Sequence, residues 1–387
     1  MILGIDASNI RVGGGVHHLV ELLRVADPKK HNFEKIYIWG GNLTLSQIED
    51  RNWLVKNNLR ELDAGIIRRS IWQRFELCKI ARIVGCNVLF IPGGSFYGGF
   101  NPVISMSQNL LPFEWKEIRR YGWSMAAIRL FLLRLTQSRT FRLSDGVIFL
   151  TRYAQSVTNK VVKLNSGKMA LVAHGVNQRF EISPRLQHGI ERFTEENPFR
   201  ILYVSTVDVY KHQWNVVEAV AKLRNRGYPV SLDMVGHGYP RSLLRLNKAL
   251  AKNDPDGKFI NYVGALPYES LHQMYAVANM GVFASSCETF GQIVTESMSA
   301  GLPIACSELS AMQELLGTAA VYFDPEKPDS IASAIQKLIQ SPELREEKSR
   351  EAFDSVKKYT WNRCAEETFA FLNSTLKIYD TRAAIVK

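Results

Sequence analysis

The chain has 387 residues, 46% of them hydrophobic and 22% charged, a globular composition whose length suits two domains of ordinary size, each with its own core. Its five cysteines are odd in number and lack C-x-x-C spacing, which excludes a disulfide framework and a zinc site and points to a reducing cytoplasm. The N-terminal MILGIDASN carries Asp6 and no basic stretch, so it does not read as a signal peptide, and the most apolar run, MAAIRLFLLRL, is broken by Arg129 and Arg134, so no membrane span is expected. The net charge of +11 is uneven: residues 1–197 hold 27 Lys and Arg against 16 Asp and Glu, and the remainder holds 21 against 21. An anionic partner is therefore expected for the first half, such as membrane lipid, a phosphate-bearing substrate or nucleic acid.

Short β-branched apolar runs alternate with helical patterns, the mark of parallel sheets with crossover helices. In the first half the predicted strands are 2–6, 35–40, 87–91, 146–150 and 169–173. In the second they are 200–205, 230–236, 259–264, 281–285 and 303–307, with helices over 213–227 and 329–340 among those between. The polar stretch 181–198 breaks this rhythm and reads as a linker. The expected organisation is one Rossmann-like α/β domain over 1–180, a second over 199–365, and a closing helix and tail over 366–387. Two such domains leave a cleft at the carboxyl ends of their strands, where ligands of these folds bind.

The most informative run is SSCETFGQIVTESMSAGLP, 285–303. Glu288 falls in the loop after a strand, Gly291 opens a helix, and Glu296 lies about one and a half turns into it at ~3.6 residues per turn. Gly301 and Pro303 then end the helix. The free N–H groups near Phe290 and Gly291 form a phosphate seat with a carboxylate beside it. Taken alone, this is also an ordinary crossover with two solvated glutamates.

The run resembles the Glu, seven residues, Glu signature of family-four retaining glycosyltransferases of the glycosyltransferase-B fold, of the bacterial surface-polysaccharide type. The likeness extends over E-T-F-G and E-S-M-S-A-G-L-P. It implies that Glu288 hydrogen-bonds the donor sugar, that Glu296 holds the ribose hydroxyls, and that Thr289, Phe290 and Gly291 face the diphosphate. In YVSTVDVYKH (203–212), Lys211 matches the lysine that meets the diphosphate, while Thr206 stands where the family commonly has arginine. Gly14 and Gly15, of the Gly13–Gly15 loop after the first strand, resemble the family's glycine loop near the donor; the loop is neither a P-loop nor G-x-G-x-x-G. His18 follows it and reads as a cleft residue or a surface histidine. Where many members carry a first-domain histidine, this chain has Gln108 and Asn109, which donate hydrogen bonds but take no proton at neutral pH. Gly236, His237 and Val263 lie in loops similar to the family's donor pocket and read equally as turns leading into helices. His174-Gly175-Val176-Asn177 resembles the turn before the linker. Asp254-Pro255-Asp256 reads as a turn rather than a metal site.

The resemblance implies an α/β protein of two Rossmann-like domains with a C-terminal helix crossing back to the first. The expected activity is retaining, metal-independent transfer of a hexose-type sugar from a nucleotide-diphosphate sugar to a glycan or lipid-linked acceptor, with no further cofactor. A non-catalytic partner subunit, or another enzyme of the same fold such as an epimerase, stands as the rival reading. The stretch from Trp115 to Leu143 has seven basic residues, one acid and interleaved aromatics. Its arginines do not gather on one helical face, so it reads either as a long solvated helix or as an electrostatic contact with an anionic membrane surface, and the protein as cytoplasmic or peripheral. No nucleic-acid recognition module is evident.

Overall fold

A computed structural model describes residues 1–386; Lys387, at the end of the expected tail, lies outside the described residues. The chain forms two units, residues 1–175 with 360–387, and 176–359.

In the first unit seven parallel strands are ordered β3-β2-β1-β4-β5-β6-β7. They are β1 (Ile2–Ala7), β2 (Lys35–Gly40), β3 (Leu54–Asn57), β4 (Val88–Ile91), β5 (Val103–Ser107), β6 (Gly146–Phe149) and β7 (Met169–Leu171). In the second unit six parallel strands are ordered β10-β9-β8-β11-β12-β13. They are β8 (Phe199–Val204), β9 (Val230–Val235), β10 (Ile260–Gly264), β11 (Met280–Phe283), β12 (Ile304–Ser307) and β13 (Ala320–Phe323). Both are doubly wound sheets, and in each the strand order reverses beside the first strand, between β1 and β4 and between β8 and β11. There the loops at the carboxyl ends part and leave a crevice.

All ten strands expected from sequence are present. Three more, β3, β5 and β13, complete the sheets. The central strands β4, β6, β11 and β12 are buried along their whole length, as strands covered by helices on both faces must be. The closing helix runs over Trp361–Val386 and packs on the first unit, against the helix Gly14–Val25 and strands β4 and β6. The addition of a Cβ to Gly146 in β6 would meet Phe371 at 2.9 Å, which shows how closely that helix approaches the sheet.

The structure corrects the expected boundaries. The first unit ends at Gly175, the second begins at Val176, and the closing segment begins at Thr360. The stretch 181–198 is no free linker but an irregular coat on the second unit. Ile182 N–H donates to Ser299 O at 2.9 Å. The Arg185 guanidinium donates to the carbonyls of Ala276 and Ala278. Buried Arg345 donates to Gln187 Oε1 at 3.0 Å and to the His188 carbonyl. The stretch lacks a strand pattern because its polar groups are satisfied by these tertiary partners rather than by a ladder.

Gly301 allows the coat to lie down. Its φ is +59°, and a Cβ there would meet Ile182 O at 2.6 Å and Pro184 N at 2.7 Å. Gly301→Ala should therefore destabilise the second unit by about 1–3 kcal/mol through left-handed strain and backbone collision. Urea unfolding followed by circular dichroism measures this; an unchanged midpoint would remove the constraint.

Candidate active site

At the reversal point of the second sheet, two loops bring opposite charges together. Lys211 ends a short 3-10 turn, Val209–Lys211, in the loop after β8, and Glu288 lies in the loop after β11. Their side chains, Lys211 Nζ and Glu288 Oε1, form a hydrogen-bonded ion pair. Lys211 is only 7% exposed, and its ammonium also lies 4.9 Å from the ring centre of Tyr210 and 5.1 Å from that of Phe283. A nearly buried cation needs such company, because desolvation penalises an isolated charge.

Each member is held through its backbone as well. The Tyr203 hydroxyl donates to the Lys211 carbonyl. Ser310, in the left-handed region at φ +64°, takes the Glu288 N–H on its Oγ at 2.7 Å and donates back to the Glu288 carbonyl at 2.9 Å. His212 Nε2 lies 3.1 Å from Ser286 Oγ, and Ser286 N–H donates to Tyr210 O at 2.8 Å, so the two loops are fastened side by side. Ser310, Ser286 and His212 had no signal in the sequence; their role comes from where the loops meet.

Gly291 caps the helix Gln292–Ser299 with φ +105°, and a Cβ there would strike Met312 Cε at 2.8 Å. Thr289 and Phe290 are buried, and the Phe290 ring packs edge-on against Tyr359 at 5.5 Å. The other expected donor loops converge on the same end of the sheet. Gly236 N–H donates to Gly264 O at 2.8 Å, and a Cβ on Gly236 would fall 2.1 Å from Ser205 O. The carboxyl ends of β8, β9 and β10 are thus in mutual contact. Thr206 follows β8 and its carbonyl accepts from Gln213 Nε2 at 2.9 Å. His237 is exposed, with its ring 5.3 Å from Tyr239. Val263 is half-buried against an apolar cluster that includes Tyr275 and Leu302.

Glu296 departs from the picture of an open ribose ligand. It is fully buried, at 0% exposed, and its two oxygens accept from the Tyr268 hydroxyl at 3.1 Å and the Tyr275 hydroxyl at 3.0 Å. Burial pushes its pKa up to about 8, against the lowering effect of the two hydroxyls and of Arg179. Arg179 stacks over Tyr268 at 5.4 Å. A hydroxyl ligand would reach this carboxyl only beside, or in place of, a tyrosine.

The first unit assembles a second, uncharged cluster. Gly13 has φ +70° and caps the helix Gly14–Val25. Cβ atoms on Gly13 or Gly14 would meet nothing within 4 Å, and one on Gly15 would lie 3.6 Å from Gln108 Oε1. Gln108 Nε2 lies 3.2 Å from His18 Nδ1 and 3.3 Å from Met106 Sδ, with Asn109 Oδ1 turned to the Leu111 N–H at 3.2 Å. The glycine loop, His18 and Gln108 are therefore one group. His18 is not a surface histidine: it is buried, stacked 4.6 Å from His174, and burial first and His17 second lower its proton affinity to about 3. The turn at His174 packs against Trp361 at 5.6 Å, and Gly175 leaves no room for a Cβ beside the Trp361 backbone.

Asp254 holds a turn: its carboxylate accepts from the N–H groups of Lys258, Phe259 and Ile260 at 2.7–2.9 Å, while Asp256 pairs with Lys258 at 2.9 Å. Among the described residues no three His, Cys, Asp or Glu side chains are grouped to hold a metal.

The family described as Glycosyl transferases group 1 matches residues 189–354. The O-antigen chain mannosyltransferase B of Escherichia coli is 33% identical over 110 residues, 28% of this chain and 29% of that protein. A GDP-mannose-dependent alpha-(1-6)-phosphatidylinositol dimannoside mannosyltransferase of Mycobacterium tuberculosis is 25% identical over 240 residues, 61% of this chain and 60% of that protein. The chain spans less than two-thirds of the length of these curated relatives. Among solved structures, the sucrose-phosphate synthase of Thermosynechococcus elongatus superposes with a TM-score of 0.74 over 100% of both chains at 16% identity, a likeness of fold.

The raised pKa of Glu296 sets a pH dependence. The unfolded chain ionises this carboxyl near 4.5 and the folded unit near about 8, so between these values the folded state keeps a proton that the unfolded state loses. Stability from this group is complete at low pH and falls as pH rises through that window, at about 1.4 kcal/mol for each tenfold change in proton affinity. Glu296→Gln should flatten the decline, raising the melting temperature at pH 8 more than at pH 5. Equal shifts at both pH values would show that the carboxyl is already ionised in the folded unit.

Proposed function

We propose that this chain, which belongs through its second unit to the group 1 glycosyl transferases, moves a hexosyl group from a nucleoside-diphosphate sugar to a glycan or lipid-linked glycan acceptor in surface-polysaccharide synthesis. The observation that carries the reading is the Lys211–Glu288 pair at the reversal point of the second sheet, beside the helix that opens at Gly291. A nearly buried ammonium and a helix N-terminus are what a departing diphosphate requires, and a fixed carboxylate next to them is what sugar hydroxyls require. A mannosyl donor is the first choice, since both relatives described above are named mannosyltransferases.

In this reading the donor lies on the second unit. Its diphosphate draws Lys211 Nζ, leaving the Glu288 carboxylate to accept from the sugar. Thr289, Phe290 and Gly291 line the phosphates, and Gly236, His237 and Val263 lie toward the nucleoside. Glu296 takes the ribose hydroxyls once Tyr268 yields. Gly14 and Gly15 of the glycine loop take part in donor binding, and His18, Gln108 and Asn109 serve the acceptor. Neither His18, held neutral, nor Gln108 takes a proton at neutral pH. The leaving phosphate then receives the acceptor's proton, the bond forms on the face the phosphate leaves, and configuration is retained. Lys211 and the helix end do the work of a cation, so neither metal nor cofactor takes part. The protein acts on the cytoplasmic side, against a lipid-linked acceptor, without nucleic acid.

Lys211→Ala should lower kcat by roughly 10²–10³-fold, about 2.7–4 kcal/mol, by analogy with the loss of a preorganised anion stabiliser. Affinity for a nucleoside diphosphate should fall less, because the charge on the leaving group is fully developed only in transfer. Near-normal turnover in the variant would move the phosphate role elsewhere, and an inverted linkage in product NMR would reject the same-face mechanism. Transfer should also survive excess chelator; loss that manganese or magnesium restores would reject metal independence.

A further inference from the structure

The basic excess belongs to the first unit. It holds 28 Lys and Arg against 15 Asp and Glu, whereas the second unit holds 20 against 22. On this unit two helices expose apolar side chains that a water-facing surface does not need. The helix Ile66–Phe75 turns Ile66, Ile67, Ile71 and Phe75 outward, all more than half exposed, while Trp72 and Gln73 face in. The Trp115–Leu143 stretch is not one helix: it turns at Gly122, with φ +56°, and resumes as Met125–Leu143. At that turn the Trp123 side chain is wholly exposed, and Met125, Ile128, Phe131, Leu132 and Leu135 follow it outward. The buried residues of this helix are Leu130 and, in its second half, Gln137, Ser138, Thr140 and Phe141.

The two apolar surfaces are neighbours. Tyr97 lies with Ile67, Ile71, Arg74 and Phe75 around a shallow groove of about 370 Å³. The adjacent Phe96 is tied to the second helix, its N–H donating to Thr140 Oγ1 at 2.9 Å. Buried Arg69 on the first helix feels the charges of Arg11 and of Arg129 on the second, which add to burial in lowering its proton affinity. Cations flank the whole surface. Arg68, Arg74, Lys116, Arg119 and Arg129 are exposed, and residues 64–75 and 118–143 contain no acid. Arg119 and Arg134 also stand about 6 Å from the Trp115 ring.

We infer that this two-helix surface is where the protein lies on an anionic bilayer, with Trp123 and the Ile67–Phe75 ridge entering the headgroup boundary and the arginines meeting lipid phosphates. An apolar surface flanked mainly by cations, with the acids Glu61, Asp63 and Glu76 only at the ends of the first helix, matches an anionic bilayer, which supplies hydrocarbon and negative charge together. A second copy of this chain matches less well, because two such surfaces would bring like charges face to face. Tryptophan at the interface level and long basic side chains above it are the usual division of labour there. No helix among the described residues is long and apolar enough to cross a membrane, so the contact is peripheral. It joins an apolar part to the electrostatic tie expected from the charge alone. The inference does not rest on sugar transfer.

The test is flotation of the full chain with vesicles of phosphatidylcholine alone or mixed with phosphatidylglycerol, at low and high salt, without donor or acceptor. The wild type should float with the anionic vesicles, and salt should weaken but not abolish this. The variant Ile67→Ser, Phe75→Ser, Trp123→Ser should lose about tenfold or more in partition to both vesicle types. The variant Arg68→Gln, Arg129→Gln should lose about tenfold on anionic vesicles and little on neutral ones. All these side chains are exposed, and thermal melts check that the variants fold. Wild-type failure to float with either vesicle, or flotation of both variants like the wild type, would overturn the inference. Sedimentation showing a dimer that only the apolar variant dissolves, with vesicle binding unchanged, would assign the surface to a second copy instead. Nucleoside-diphosphate stabilisation, measured on the same samples, reads the second unit separately: its absence would count against the transferase reading and leave the vesicle result standing.

Discussion

The second unit is organised around one ion pair. Lys211 and Glu288 are 77 residues apart in sequence and meet because β8 and β11 are neighbours in the sheet while their chains leave in opposite directions. Neither charge is comfortable alone in that crevice. Burial of either without the other would cost several kcal/mol, so the pair fixes how the loops after β8 and β11 face each other. The backbone bonds of Tyr203 to Lys211 and of Ser310 to Glu288 show the same demand met a second time, with the loops held even where the side chains must part. In the proposed reading, a ligand that brings its own negative charge to Lys211 would release Glu288 as an acceptor. The site is thus an exchange of partners rather than an empty basin.

Much of this was legible because the signal was local. A strand, a loop carboxylate, a glycine opening a helix and a glycine ending it follow one another over 281–301, and each has its own residue preference. The lysine after β8 was visible for the same reason. What escaped was decided at a distance. β3 and β13 are edge strands of four residues, half-buried for much of their length and without a clear alternation. β5, VISMS, is fully buried yet carries two serines, of which Ser105 accepts from Ser144 Oγ, so its polarity hid a central strand. The boundary was misplaced because the 181–198 coat has no pattern of its own; Arg345, more than 150 residues away, supplies its partners.

Glu296 shows the other limit. Its spacing from Glu288 placed it on the right helix, and one and a half turns in was correct, but spacing says nothing of cover. Tyr268 and Tyr275 come from the chain between β10 and β11 and close over the carboxyl. Two hydroxyl donors in a dry setting are enough to keep a carboxyl in place yet not enough to keep it ionised, since the desolvation cost exceeds what neutral donors return.

The two units therefore carry opposite kinds of polarity at equivalent places in their sheets. At the reversal point of the second unit stand full charges, a lysine and a glutamate. At that of the first stand neutral groups, a glycine loop after β1 and a histidine whose burial keeps it uncharged, joined by a glutamine from the end of β5, the strand beside β4. Gln108 Nε2 lies 3.2 Å from His18 Nδ1, so the two side chains form one polar contact. Burial first and His17 second lower the proton affinity of His18 to about 3, so it is no base at neutral pH. The absence of a side chain along Gly13–Gly15 leaves the helix N–H groups beside it uncovered. A surface of donors without charge orients hydroxyl and ether oxygens without competing for protons, whereas the charged pair of the second unit answers to phosphate. The proposed division between an oxygen-rich neutral ligand and an anionic ligand would thus rest on side chains whose local sequences share little.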